Sequence, residues 1–403
     1  MNNKSKIILE ILLLNTFILS LFISQISNYS VTSFILKALS NVILHILIYL
    51  DIQVKKDFFH NEGFNPFKNL PYTLFLIPIL FISLTLTYSL NPLFGILKLA
   101  NLFISVIPLI IASYYLLKTN TEQRFTILIY SLLTVAIATT IFVIIVRPFD
   151  YSTIYKFSIL RWSHVIYGRF TGLVFLLSIY LLYERRNIFR PTLVTIIAAI
   201  ILVGIYLSGL RAAFIGVLLI TTILLTIGLI KRKIPIGNVL LLIFISISII
   251  LIINSFDTTT GVSKRYNESF TITNEKVEFD ASWQVRIDAA EISWEMFKEH
   301  PILGSGLGGF NRNYNSSLPQ AIKYPHNIFL EVMVEFGIVG MLGFVYLLWT
   351  MFRAARRLSV FWIMYLVYAF WLALFAKDIS TNTLLWLAVV FMSNSQWHTD
   401  YTD

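Results

Sequence analysis

Cysteine is absent from the chain. Disulfides, thiolate nucleophiles and cysteine-ligated metals are therefore excluded on either side of a membrane. Charge is also scarce, at 13% of residues, where a soluble domain carries about 25%. No Gly-x-x-x-x-Gly-Lys loop occurs, nor a Gly-x-Gly-x-x-Gly run after a strand, so no nucleotide-phosphate cradle is encoded. An Asp-x-Asp pair, which could hold a metal against a nucleotide sugar, is missing too. No internal repeat or low-complexity tract is evident.

Apolar sequence is abundant: 57% of the 403 residues are hydrophobic. This excess is too large for a soluble core. It comes from charge-free segments of about 20 residues, the length that crosses about 30 Å of hydrocarbon. A bilayer obliges each crossing to satisfy its own backbone, so the crossings are helices. The expected fold class is all-α, a polytopic membrane helix bundle of about twelve spans: 7–24, 33–50, 72–89, 97–117, 125–146, 168–183, 191–208, 212–230, 235–254, 328–352, 359–376 and 381–392. The chain order divides into N-terminal spans (1–167), central spans (168–254), an extracytoplasmic loop region (255–327) and C-terminal spans (328–403). The first apolar stretch lacks a small-residue cleavage site and is read as a retained helix.

The net charge of +10 could indicate nucleic acid, but in a membrane chain it marks cytoplasmic loops first. The distribution agrees. Lys4 and Lys6, Lys55, Lys56 and Lys68, Lys118 and Arg124, Arg185, Arg186 and Arg190, Lys231 to Lys233, and Arg353, Arg356 and Arg357 all fall on one side if spans alternate. That side, with both termini, is assigned to the cytoplasm.

Two connections then lie outside the cytoplasm. One, 147–167, holds Arg161, Trp162 and His164; the other, 255–327, is the longest polar stretch. Within it Trp283, Ile287, Ala290, Trp294 and Phe297 recur at helical spacing, which predicts an amphipathic helix over 280–300 packed on that stripe. Asp288, Glu291 and Glu295 fall on its wet face, Pro301 ends it, and Gly304, Gly306, Gly308 and Gly309 make a turn-rich exit.

Charges beside hydrocarbon are costly, so those that persist are functional candidates. Arg211 sits in a tight corner between two spans, read either as an arginine snorkelling to headgroups or as a fixed guanidinium for a phosphate-bearing ligand. Arg286, beside Trp283, lies at the border of the wet and packed faces, an ordinary surface arginine or an anion contact. His326 follows Pro325 at the mouth of a span, where the positive end of a helix dipole favours a neutral imidazole able to accept a proton from a hydroxyl. Glu331 and Glu335, spaced i,i+4, should face the bundle interior. An enzyme acting outside the cytoplasm has no nucleotide sugars at hand, and a lipid-linked pyrophosphate donor suits arginine clamps.

From about 195 to 343 the sequence resembles the O-antigen ligase/polymerase superfamily of bacterial surface-polysaccharide enzymes. The residues that carry the resemblance are Ser208-Gly209-Leu210-Arg211, Trp283-Gln284-Val285-Arg286 with Trp294 downstream, His300-Pro301-Ile302-Leu303-Gly304-Ser305-Gly306-Leu307-Gly308, and Pro325-His326-Asn327 through Glu331 and Glu335-Phe336-Gly337-Ile338-Val339-Gly340. Upstream, Gly168-Arg169-Phe170-Thr171-Gly172 is similar to the family's Arg-Phe-x-Gly segment. The resemblance implies a C-type helical fold with one large helical periplasmic loop. It implies a metal-independent, cofactor-free inverting glycosyltransferase, acting outside the cytoplasmic membrane of a bacterium on an undecaprenyl-pyrophosphate-linked glycan donor. In ligases the acceptor is the lipid A core; in polymerases it is another glycan repeat unit. By this resemblance Arg211 and Arg286 bind the donor pyrophosphate, Arg169 assists, and His326 activates the acceptor hydroxyl. Glu331, Glu335 and Trp283 would support them. Membrane lipids are the other expected partner, and nucleic acid is not. The corner departs from many relatives in carrying Leu210, rather than Ser or Thr, immediately before the arginine. Two readings of other classes are a transporter or flippase, which usually shows internal repeats and discontinuous helices, and a scaffold for a polysaccharide assembly complex.

Overall fold

The computed structural model describes residues 3–26, 30–55, 72–119, 122–146, 164–184, 190–256, 270–273, 276–279, 281–311, 324–375 and 378–393. Arg161, Trp162 and the rest of 147–163, with Lys56, Lys68, Arg185 and Arg186, lie outside them. The helices are α1 (Asn3–Ser24), α2 (Val31–Val54), α3 (Tyr72–Leu84), α4 (Pro92–Asn101), α5 (Ile107–Lys118), α6 (Glu122–Val146), α7 (His164–Glu184), α8 (Pro191–Leu207), α9 (Arg211–Ile230), α10 (Ile236–Phe256), α11 (Ala281–Glu299), α12 (Ile328–Leu358) and α13 (Val360–Ala373). A π-helical stretch, Leu102–Val106, joins α4 to α5.

Seven helical stretches among the described residues are long and apolar enough to cross a membrane, and four shorter apolar helices accompany them. The chain is thus a polytopic helical bundle. The expected twelfth span, 381–392, is instead a short helix, Thr383–Leu387, between two 3₁₀ turns, with residues 379–390 buried. Inside the large loop, where only helix was expected, β1 (Phe270–Thr273) pairs antiparallel with β2 (Lys276–Phe279).

Contacts sort the residues into two compact units. One comprises 1–128, 284–359 and 373–403; the other comprises 129–283 and 360–372. In the second unit α7 is the central helix, buried along most of its length and packed by α8 and α9; α10 covers α8. In the first, buried Glu10, Asp51, Tyr115 and Arg124 gather with half-buried Lys55 where α1, α2, α5 and α6 meet. Arg124 reaches Asp51 and Glu10, Lys55 Nζ donates to Glu10 at 3.0 Å, and the Tyr115 hydroxyl donates to Asp51 at 2.5 Å. Arg124, which the sequence offers only as one more cytoplasmic-side charge, is 2% exposed and paired. A charge can be buried only with partners.

Helix α12 is broken. Gly337 has φ 61° and ψ −158°, a conformation open essentially to glycine alone. The break leaves carbonyls and N–H groups without intrahelical partners, and the Gly-rich exit from α11 meets them. Ser305 N–H donates to the Val334 carbonyl at 2.8 Å and Gly306 N–H to the Glu335 carbonyl at 2.9 Å. In return, the Ile338 and Val339 N–H groups donate to the carbonyls of Pro301 and Ile302. A discontinuous helix, not evident in the sequence, is therefore present, and loop backbone rather than an ion completes it.

Replacing Gly337 with alanine strains this junction twice. The backbone angle costs about 1–3 kcal/mol, and a new Cβ would run into the Ile302 carbonyl. Gly337→Ala should lower the thermal midpoint of the detergent-solubilised protein by several degrees and raise aggregation. A midpoint equal to wild type would show that the break is not built as described.

Candidate functional site

Arg211 opens α9, directly after the corner that ends α8. Gly209, at φ 63°, makes the reversal, and the Ser208 hydroxyl closes it by donating to the Ile205 carbonyl at 2.6 Å while accepting from Leu210 N–H at 3.1 Å. Leu210 occupies the N-cap position and supplies no side-chain cap. The first turn of α9 therefore places the half-buried Arg211 guanidinium at a helix N-terminus, whose dipole favours an anion.

Arg169 belongs to the same unit and comes close to this corner through its neighbour. A Cβ at Gly168 would collide with Ser208 Oγ and the Leu210 side chain. The glycine thus lets α7 lie directly against the segment that leads into Arg211. Helix α13 buttresses both pieces. The Tyr368 hydroxyl donates toward the Gly168 and Arg169 carbonyls at 3.4 and 3.3 Å, and Trp371 Nε1 donates to the Ala212 carbonyl at 2.7 Å.

Arg286 and His326 belong to the other unit, with Glu331 and Glu335. Arg286 is half-buried on α11. The face of α11 that packs is not the expected aromatic stripe. Ala289 and Met296 are buried against Phe310 and Val334, with Val285 and Ile292 beside them, and Ser293 is buried too. Trp283 and Trp294 are exposed instead, by 39% and 53%. The helix approaches its neighbours closely, and small side chains permit that where indoles would not. Glu291 and Glu295 are on the exposed side, as the pattern predicts.

His326 stands before the N-cap of α12. Asn327 caps the helix by accepting from the Phe329 and Leu330 N–H groups at 2.9 and 3.4 Å. His326 itself has φ 55°, a left-handed conformation uncommon outside glycine. Its ring lies edge-on to Tyr324 at 6.0 Å, and Tyr324 lies 5.9 Å from Phe94 of α4.

Glu331 and Glu335 are both buried, and the residue that accounts for them was not legible in the sequence. Lys98 of α4, 1% exposed, donates to Glu331 Oε1 at 2.5 Å and to Glu335 Oε1 at 2.6 Å. Asp378 is close enough to attract both Lys98 and Lys37. Its carboxylate caps the following 3₁₀ turn through Ser380 and Thr381. Asn101 ties these groups together: its Oδ1 accepts from Lys37 Nζ at 2.5 Å and its Nδ2 donates to the Ser380 carbonyl at 2.7 Å. The only forward signal was lysine inside an apolar run, at positions 37 and 98. Among the described residues no group of three or more His, Asp or Glu side chains is arranged to hold a metal ion.

The α7–α13 contact makes a testable pair. A Cβ at Gly172 would overlap the Tyr368 hydroxyl. Gly172→Ala should destabilise the protein by about 1–3 kcal/mol through overpacking. Tyr368→Phe in the same chain should recover much of that loss, which a double-mutant cycle of thermal midpoints would detect. Additive effects would show that the two residues do not meet.

Residues 196–345 match the family model described as O-antigen ligase. No curated protein matches the chain. The matched stretch holds Arg211, Arg286, His326, Glu331 and Glu335, whereas Arg169 and Lys98 precede it.

Proposed function

Because residues 196–345 carry an O-antigen ligase family domain, we propose that the chain is a ligase-type glycosyltransferase of the bacterial cytoplasmic membrane. It moves a glycan from undecaprenyl pyrophosphate to an acceptor sugar hydroxyl, the lipid A core, at the outer face. The observation that carries this reading is His326. A left-handed backbone angle at a non-glycine residue costs free energy, and such angles cluster at active sites. Here it falls on an imidazole at the mouth of α12, a side chain able to take a proton from a hydroxyl.

The chemistry follows from the residue types. His326 removes the proton as the acceptor oxygen attacks the anomeric carbon, with inversion and without a metal ion. Arg211 and Arg286 bind the pyrophosphate, whose negative charge grows as the glycosidic bond breaks, so guanidinium contacts strengthen toward the transition state. Arg169 contributes to donor binding beside Arg211. Trp283, exposed on α11, offers a face to a sugar ring. An N-terminus in the cytoplasm and nine spans ahead of the large loop would put that loop and His326 outside, in agreement with the lysine and arginine distribution.

A second reading, a repeat-unit polymerase, uses the same groups on a different acceptor. The transporter reading gains the broken helix, but the backbone groups freed at Gly337 are met by loop residues 301–306 rather than left to coordinate an ion.

His326→Ala should lower transfer by at least about 100-fold, the usual worth of a general base, and Arg211→Ala and Arg286→Ala should each lower it by about 100-fold or more, with every variant inserted and accumulating. The assay is the polysaccharide ladder from cells deleted for the native gene. Loss of capped lipid A with polymerised donor retained identifies a ligase; single-repeat product identifies a polymerase. Wild-type transfer by His326→Ala eliminates the histidine base.

A further inference from the structure

We propose that Lys98 is a positioning residue for His326, acting through the buried pair Glu331 and Glu335. The proposal rests on the reading above in which His326 accepts the acceptor proton, and it adds a residue of the N-terminal helices to that machinery.

Lys98 Nζ contacts carboxylates on two successive turns of α12, at 2.5 and 2.6 Å. One ion pair would let the helix swivel about a single point. Two, at i and i+4 on one face, fix both its rotation and its height. Glu335 is tied further through its backbone, since its carbonyl accepts from the Gly306 N–H at 2.9 Å. The loop that carries Gly306 is seated on the tip before α4. Leu307 N–H donates to Thr85 Oγ1 at 3.1 Å, Ser89 Oγ donates to the Leu307 carbonyl at 2.7 Å, and Leu90 N–H donates to the Ser305 carbonyl at 3.0 Å.

The same helix also grips the chain on the other side of His326. Phe94 lies one turn before Lys98, with the Lys98 ammonium 5.6 Å from its ring centroid. Phe94 meets Tyr324, and Tyr324 meets the imidazole edge-on. Helix α4 thus holds the chain before and after the left-handed residue, at Tyr324 and at Glu331 with Glu335. A backbone angle of this kind survives only where its surroundings over-determine it, and these two clamps are the surroundings.

A purely structural Lys98 would pair with two carboxylates and leave the imidazole's environment unchanged once the protein is folded. A positioning Lys98 would not. The test uses the full chain, purified in detergent, with diethyl pyrocarbonate as the probe and the carbethoxylation rate of His326 read by peptide mass spectrometry. Transfer is measured in parallel in cells deleted for the native gene. Lys98→Met and Phe94→Leu should each change the His326 rate several-fold and lower transfer by at least about tenfold, since small misplacements of a reacting group are costly. The exchange Lys98→Glu with Glu331→Lys keeps one lysine and two glutamates, and should return both readouts toward wild type.

An unchanged His326 rate in both single variants overturns the proposal. So does an exchanged pair that accumulates normally yet behaves like Lys98→Met. If Lys98→Met does not accumulate, Phe94→Leu and the exchanged pair decide by the same criteria. The failure of the parent reading looks different: His326→Ala would transfer normally, whatever the imidazole reactivity does in the other variants.

Discussion

A helix that stops inside an apolar bundle leaves backbone groups that neither water nor lipid can satisfy, and each would cost several kcal/mol. The break at Gly337 sets this requirement, and much of the first unit is arranged to meet it. The loop 301–306 supplies two donors and two acceptors to the broken backbone of α12. It can come so close because glycines stand at the contact points. Gly306, at φ 77°, lies where a Cβ would strike the Thr85 carbonyl and the Ser89 backbone. Residues 301–306, between α11 and α12, are therefore a structural member of the helical bundle.

The second requirement is charge. Lys98, Glu331, Glu335, Asp378 and Lys37 are all buried in one unit. Removing one partner of a buried pair typically costs about 3–5 kcal/mol, although the intact pair adds little over a well-packed apolar one. Such groups are kept for specificity of arrangement more than for stability, and here they register α2, α4, α12 and the turn at Ile379–Thr381 against one another. The cluster of Glu10, Asp51, Lys55 and Arg124 does the same for α1, α2 and α6. Polar contacts can align helices in an apolar medium, where hydrophobic burial between them no longer discriminates.

In the second unit the alignment comes from small residues. Gly168 and Gly172 let α7 take the corner before Arg211 on one side and Tyr368 on the other. Arg169 and Arg211 are carried by segments in direct contact, an arrangement that their separation in sequence does not suggest. The close approach is made at Gly168, so only the glycine spacing in Gly168-Arg169-Phe170-Thr171-Gly172 hinted at it.

The sequence by itself determined that the chain is a bundle of apolar helices, that Glu331 and Glu335 share a face, and that His326 stands at a helix mouth. Each is a local property, set by run length, helical period or the effect of Pro325 on its neighbours. Tertiary structure decided the rest. Lys98 meets its carboxylates across 233 and 237 positions of chain, a distance over which periodicity carries no information. The packed face of α11 depended on how near Phe310 and Val334 approach, so Ala289 and Ser293 went inward and Trp294 stayed out. The interruption of α12 needed partners for its freed backbone, and these exist only once residues 301–306 have folded against it.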